Sequence, residues 1–311
     1  MAAPFISICI PARNRSPIMR RLLDSIALQR YTDFEVVVTD NSDDNQIADL
    51  VAEYPSLQIR YSLNNPKTEM GENWNRCMQQ ATGQWIKLIH DDDWFTTPDS
   101  LGAFAQTATA TKAGFLFSDY YNVDEDSSAR TRVGISTFRK WLLRRTPFSL
   151  LSENVIGPPS ITLIRKDVLF PFRNHMKWIV DIDWYLKLLH SGAAFEVIHE
   201  PLVCIGIHPE QATKSYFRNP DVEIPECLDL LSGWPRFYRS LFAYDYCWRL
   251  LRNVNIRSEA AFKAYAAGKP VPDAISDMIR FRKSVSDTLL QQKMTSKLLM
   301  FMQWLRFNLG H

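Results

Sequence analysis

The sequence predicts an α/β fold built on a mostly parallel central sheet. Three observations predict it. Short β-branched runs alternate with amphipathic helical stretches through the N-terminal third. Polar loops follow the ends of those runs. One run ends directly in three consecutive carboxylates, Asp91-Asp92-Asp93. Strand–helix–strand spacing of this kind implies right-handed βαβ units, and in such sheets ligands gather at the carboxyl ends of the strands.

Residues 5–10 form the first expected strand, ending at Pro11. Residues 12–17 read as a loop, with Ser16 as N-cap and Pro17 at the first helical position. In the helix that follows, Ile18, Leu22, Ile26 and Leu28 lie on or near one face. Residues 34–39 are the second strand, broken by the polar stretch from Asp40 to Asp44. A short helix over 46–54, a strand over 57–62, a helix over 72–81 stopped by Gly83, and a fourth strand over 84–89 complete the alternation. The Arg13 loop, the Asp40 loop and the acidic triplet therefore all fall at one sheet edge.

Composition narrows the function classes. The 311 residues are 46% hydrophobic and 23% charged with a net charge of +2, ordinary for a globular chain with a sizeable core. A nucleic-acid binder would carry a strong basic excess, so none is expected as partner. No stretch approaches the roughly 20 apolar residues of a membrane span. The first residues lack a basic segment ahead of an apolar core, so no signal peptide is expected. Five scattered cysteines without a CxxC pair suggest neither a zinc site nor a disulfide framework, and a reducing cytoplasmic location is the default. Neither GxGxxG nor GxxxxGK[ST] occurs, so a bound nucleotide would be held by side chains and a metal rather than by a glycine cradle.

Like charges side by side at the end of a buried strand repel and are costly to desolvate. One resolution is a divalent cation with hard oxygen ligands, Mn²⁺ or Mg²⁺, that also holds phosphates. The other is a solvated acidic turn or a helix N-cap. The convergence of three polar loops on one edge favours the cation.

The motifs Ser7-Ile8-Cys9-Ile10-Pro11-Ala12-Arg13-Asn14, Val38-Thr39-Asp40-Asn41-Ser42-Asp43-Asp44 and Leu88-Ile89-His90-Asp91-Asp92-Asp93, in this order, resemble family 2 glycosyltransferases. The resemblance covers residues 5–215. It implies the GT-A fold: a catalytic domain over 1–215, with a nucleotide-sugar half near 1–100 and an acceptor half near 101–215, followed by a helical extension over 216–311. It further implies that Pro11, Ala12, Arg13 and Asp40 hold the nucleotide base and ribose. Arg13 is also suited to phosphate, and Asn73, Asn75 and Arg76 flank the donor. The triplet matches the family's DXD motif in two ways. Asp91, Asp92 and Asp93 can form Asp-x-Asp, with Asp91 on the donor. Alternatively His90 replaces the first acid and Asp92 becomes the main metal ligand. Asp92 is favoured as direct ligand, with Asp93 beside it and His208 completing the metal or phosphate site.

The segment Val180-Asp181-Ile182-Asp183 resembles the family's Glu-Asp-x-Asp motif with Val180 in place of Glu. This makes Asp181 the expected general base and Asp183 the fallback; the other reading of Asp181 is a carboxylate favoured by the helix dipole. Gly157-Pro158-Pro159-Ser160 resembles the acceptor-side loop. The implied activity is an inverting, metal-dependent transfer from a nucleoside diphosphate sugar, UDP favoured, to a hydroxyl of a glycan or lipid-linked acceptor. The commonest setting is bacterial surface polysaccharide synthesis. A non-catalytic nucleotide-sugar-binding or scaffolding protein of the same fold is the alternative.

Beyond residue 215 the pattern is helical, with Trp234, Phe237, Tyr238, Phe242, Tyr246 and Trp248 as expected core aromatics. The last helix, over 293–308, combines Lys293, Lys297 and Arg306 with a run of apolar side chains. It reads either as a helix packed on the catalytic domain or as an interfacial helix giving peripheral contact at the inner face of a membrane. The basic stretch from Arg139 to Arg145 reads as a segment over the acceptor site or as a solvated helix.

Overall fold

The computed structural model describes residues 3–124, 127–208, 216–234 and 236–309. The chain divides into two compact units. One comprises Met1–Arg144, Val155–Met176 and Val180–Pro209; the other comprises Arg145–Asn154, Lys177–Ile179 and Glu210–His311.

Among the described residues the first unit is built on a nine-stranded sheet. Its N-terminal strands are β1 (Ile6–Ala12), β2 (Phe34–Asp40), β3 (Arg60–Leu63) and β4 (Trp85–Leu88). They lie in the order β3-β2-β1-β4, every neighbour parallel. Helices α1 (Ser16–Ala27), α2 (Gln46–Ala52) and α3 (Met70–Gln80) make the crossovers. Then follow β5 (Asp93–Phe95), α4 (Ser100–Ala110), β6 (Phe115–Asp124), β7 (Arg130–Val133), α5 (Thr137–Arg145), β8 (Thr162–Arg165), α6 (Val180–His190) and β9 (Phe195–Ile207). The sheet is mixed beyond β4. β8 runs antiparallel to both β4 and β6, because it enters from the short turn Pro159–Ile161 rather than from a crossover helix. β9 pairs parallel with β6 and antiparallel with β5.

β1 is buried along its whole length, as a strand covered on both faces must be. α1 covers it with Met19, Leu22, Leu23 and Ile26, a stripe at helical spacing. Burying each such side chain contributes roughly 2 kcal/mol. Three expectations are corrected here. Leu28 is 65% exposed, because the helix ends at Ala27 and Leu28 falls off the stripe. Arg15, not Ser16, is the N-cap: its carbonyl accepts from the Ile18 and Met19 N–H groups, and the Ser16 hydroxyl turns to Gln46. The third strand begins at Arg60 rather than 57, because Pro55–Leu57 closes a 3₁₀ turn and Gln58 takes a left-handed conformation (φ 46°).

The second unit is helical: α7 (Pro220–Ser232), α8 (Leu241–Asn253), α9 (Glu259–Tyr265), α10 (Asp273–Lys283), α11 (Asp287–Gln291) and α12 (Lys293–Leu309). Asn219, Ser240 and Ser258 cap α7, α8 and α9 through their side chains. Phe237, Tyr246 and Trp248 are buried in this unit, while Trp234, Tyr238 and Phe242 are half-buried. Among the described residues no helix is long and apolar enough to cross a membrane. All five cysteines are buried and free. The acidic stretch Asp124-Glu125-Asp126-Ser127-Ser128 reads in sequence as a surface turn; Glu125 and Asp126 lie outside the described residues, and Asp124 accepts from the Ser127 N–H.

Candidate active site

Strand register decides which residues meet. Ala12 pairs with Asp40, and Asp40 with Leu63. The Ile89 N–H donates to the Cys9 carbonyl at 3.0 Å. The segments leaving β1, β2 and β4 therefore emerge at the same sheet edge, carrying Arg13 to Arg15, Asn41-Ser42 and His90 to Asp93.

The acidic triplet is held by specific partners. The Arg15 guanidinium bridges Asp91 Oδ1 at 2.5 Å and Asp92 Oδ2 at 2.8 Å. The other Asp91 oxygen accepts from the Arg13 backbone N–H at 3.3 Å. His208 Nε2 lies 3.0 Å from Asp92 Oδ2 and, with that carboxylate ionised, carries the proton between them. Asp93 accepts from the Gly206 N–H at 3.3 Å and from the Ser160 hydroxyl. Ser160 Oγ in turn accepts from the His90 N–H at 3.0 Å. The His90 ring stacks on Trp74, centroids 4.6 Å apart.

Charge is not balanced here. The Arg15 guanidinium meets two of the three carboxylates, Asp91 and Asp92. Burial pushes Asp91 up to about 7 even against Arg15, and pushes Asp93 well above the usual range. Burial also works against the Asp92 charge, but Arg15 and His208 outweigh it and keep that carboxyl below its ordinary value. Burial pushes His90 down to about 4, so its ring is neutral at pH 7. The buried His90 Nε2 has no hydrogen-bond partner. His90, Asp92 and Asp93 each offer a ligand atom, all within 4.8 Å of one another. A neutral imidazole with an unused lone pair beside two carboxylates short of positive charge suits Mn²⁺ or Mg²⁺.

The other expected residues divide. Pro11 and Ala12 end β1 with buried side chains, and the Arg13 side chain is exposed. Asp40 is buried: one oxygen accepts from the Ser42 N–H and the other from the Tyr61 hydroxyl, both at 2.8 Å. Asn73 accepts from Asn64 Nδ2 at 2.7 Å and donates to the Ala12 carbonyl at 3.4 Å, so it stays near this edge. Asn75 turns elsewhere and bonds Phe172 and Asn174. Arg76 pairs with Glu72 at 2.7 Å. Asn75 and Arg76 line a cavity of about 790 Å³ with Phe172, Arg173, His175 and Lys187. That cavity includes none of the triplet, and its cations are largely spent on Glu72 and Asp183, so the chemistry points to the triplet instead.

At the start of α6, Asp183 is fully buried between Arg173 at 3.2 Å and Lys187 at 2.7 Å. Asp181 is half-buried, and one oxygen accepts from the Ile182 N–H. Its charge helps raise the Tyr185 hydroxyl, whose main cause is burial, and that hydroxyl donates to the Gly157 carbonyl at 3.0 Å. Gly157 has φ +109° and a Cβ there would lie 2.8 Å from the Tyr120 ring, so only glycine fits. The loop from Gly157 to Ser160 thus touches the Asp181 helix at one end and Asp93 at the other.

Sequence reasoning missed Arg15, Trp74 and Lys87, and gave Ser160 no specific role within the acceptor-side loop. The signal for Arg15 was a second arginine in the loop aimed at the acidic edge. For Lys87 it was a cation inside an apolar strand run. Lys87 is fully buried, donates to the Ser160 and Thr162 carbonyls, and lies 4.4 Å over the Phe104 ring.

Residues 7–170 match the family described as glycosyl transferase family 2. A PGL/p-HBAD biosynthesis glycosyltransferase of Mycobacterium bovis is 34% identical over 108 residues, 34% of this chain and 42% of that protein. The curated relatives first matched are spanned over 66% and 42% of their own lengths. Among solved structures, S. aureus TarS 1-349 in complex with UDP-GlcNAc superposes with a TM-score of 0.58 at 15% identity, over 90% of this chain and 91% of that one. The mannosyltransferase PcManGT from Pyrobaculum calidifontis, in complex with GDP-Man and Mn²⁺, gives a TM-score of 0.55 at 17% identity, over 99% and 88%. These structural likenesses are of fold, the GT-A fold.

Proposed function

The chain belongs to glycosyl transferase family 2, and on that footing we propose that it transfers a sugar, with inversion, from a nucleoside diphosphate sugar to an acceptor hydroxyl. The observation that carries this reading is the cluster of His90, Asp92 and Asp93, ligand atoms within 4.8 Å, at the carboxyl end of β4. Asp92 and Asp93 would hold the cation with His90, and His208 steadies Asp92. Bound there, Mn²⁺ or Mg²⁺ neutralises charge developing on the leaving diphosphate. Pro11, Ala12, Arg13 and Asp40 receive the base and ribose, with Asn73 behind them and Asp91 beside the donor. Arg76 and Asn75 stand further out, on the cavity side of α3.

Asp181 takes the proton from the acceptor hydroxyl. Asp183 anchors the helix through Arg173 and Lys187 rather than acting as base, because it is fully buried and both of its ion-pair partners are part of the chain, leaving an acceptor hydroxyl no approach. A UDP-sugar is the favoured donor. The TarS complex with UDP-GlcNAc supports it, and the GDP-Man complex of PcManGT makes GDP the first competitor. A glycan or lipid-linked acceptor in surface polysaccharide synthesis is the setting we favour, and the mycobacterial relative, named for PGL/p-HBAD biosynthesis, is in keeping with a biosynthetic transferase. We assign the apolar outer face of α12 to peripheral membrane contact.

A melting-temperature panel of UDP, GDP, ADP and CDP, each with and without Mn²⁺, tests donor and metal together. UDP with Mn²⁺ is expected to give the largest rise, and Asp92→Asn to remove its Mn²⁺-dependent part. Asp181→Asn is expected to keep that rise while lowering turnover by about 10²–10⁴-fold, the usual contribution of a general base. No shift with any nucleotide would overturn the reading.

A further inference from the structure

The cation that the acidic triplet requires is already supplied, in part, by the chain itself. One guanidinium, Arg15, bridges Asp91 at 2.5 Å and Asp92 at 2.8 Å. The Asp92 Oδ2 it uses is also the atom 3.0 Å from His208 Nε2. Asp92 is at the same time one of the three residues whose ligand atoms cluster within 4.8 Å. A divalent ion drawing on this carboxylate would meet a fixed positive charge on the same group. Like charges that close repel strongly in a half-buried site.

Arg15 is the more accessible partner: its side chain is 30% exposed, against 1% for Asp91 and 14% for Asp92. A ligand arriving from solvent meets the guanidinium before the carboxylates it covers. A planar fork of donors that leaves two carboxylates can be satisfied again by a diphosphate, which it meets in the same bidentate geometry.

We propose that Arg15 is a resident counter-cation that occupies Asp91 and Asp92 until the donor arrives, then passes to its diphosphate and so couples metal binding to donor binding. The inference rests on the proposed donor and metal. Its consequence is reciprocal: the nucleotide tightens the metal and the metal tightens the nucleotide by the same factor.

Mn²⁺ titrations of the full chain, read by the loss of the free-ion electron paramagnetic resonance signal, test this with and without UDP. Wild type is expected to bind Mn²⁺ weakly alone and about tenfold or more tightly with UDP, within the usual range of coupling. Arg15→Gln is expected to bind Mn²⁺ alone about tenfold more tightly than wild type, with UDP adding much less. Arg15→Lys, a single point charge unable to bridge both carboxylates, is expected to fall between; should the glutamine variant fail to fold, it carries the same comparison. Wild type that binds neither Mn²⁺ nor UDP defeats the proposed function. Wild type that binds both, with Mn²⁺ affinity alone unchanged or weaker in the Arg15 variants, defeats this inference only.

Discussion

Lys87 has no exposed surface, and burial lowers its ammonium from 10.5 to about 7 against the opposing pull of Asp93. In the unfolded chain the same group keeps its proton to about 10.4. Between pH 7 and that value the unfolded state therefore binds a proton that the folded state has released. Stability must rise with pH across this window, by at most about 1.4 kcal/mol per unit. Below pH 7 both states are protonated and the dependence vanishes. Lys87→Met removes the group, so wild type should gain on the variant from pH 7 to 9 and not from pH 6 to 7 when both are unfolded in urea. Parallel pH profiles would refute the assignment. The same residue shows the limit of reading this site from sequence. Asp91, Asp92 and Asp93 were legible because they are contiguous. Their partners are not: His90 meets Ser160 seventy positions away, Arg15 meets Asp91 seventy-six away, and Lys87 reaches the Ser160 carbonyl. Such pairings follow from strand order, which no local pattern contains.

Elements were legible to the extent that their signals were local. Hydrophobic period located β1, β2, β4 and the first three helices within a few residues. What failed were termini and strand direction. Ser16 looked like a cap because serine caps helices, yet the Arg15 backbone took the position. Nothing near β8 in the sequence signals that it runs antiparallel to β4. Gly83 looked like a helix stop, whereas its constraint lies across the sheet. A Cβ there would sit 2.7 Å from Ser7 Oγ and 2.8 Å from the Ser7 nitrogen, and the Gly83 N–H donates to Ser7 Oγ at 2.8 Å. Backbone cannot yield as a flexible side chain does. Gly83→Ala is expected to destabilise by about 1–3 kcal/mol in denaturant unfolding, the usual penalty of overpacking. Gly102→Ala is the contrast. It lies inside α4 with its nearest neighbour, Tyr31 Cβ, at 3.8 Å, so it should be neutral or stabilise by up to about 1 kcal/mol. Equal effects would show that contact distance does not govern either site.

At the scale of the whole molecule, α12 reverses the usual amphipathic rule. Its packed face is Ser296, Met300 and Gln303, with Ser296 accepting from Trp248 Nε1 at 3.0 Å and Gln303 bonded to Asp277. Its outer face is Met294, Leu298, Phe301, Met302, Leu305 and Leu309, all exposed. Polar groups bury because they find partners; apolar ones stay out with nothing described to cover them. A continuous apolar stripe of this kind favours a second surface. The exposed Lys293 and Lys297 flank its start, so an anionic bilayer matches it in charge as well as in hydropathy. The full chain should therefore sediment with phosphatidylglycerol-containing vesicles, less with pure phosphatidylcholine, and less again as salt rises. Met294→Glu with Leu298→Glu should weaken that partition by an order of magnitude or more, since each large apolar side chain contributes roughly 1.5–3 kcal/mol on burial. The melting temperature should stay unchanged, because both side chains point away from the packed face. Partition that survives the double substitution, or is absent in wild type, would return α12 to a purely structural role.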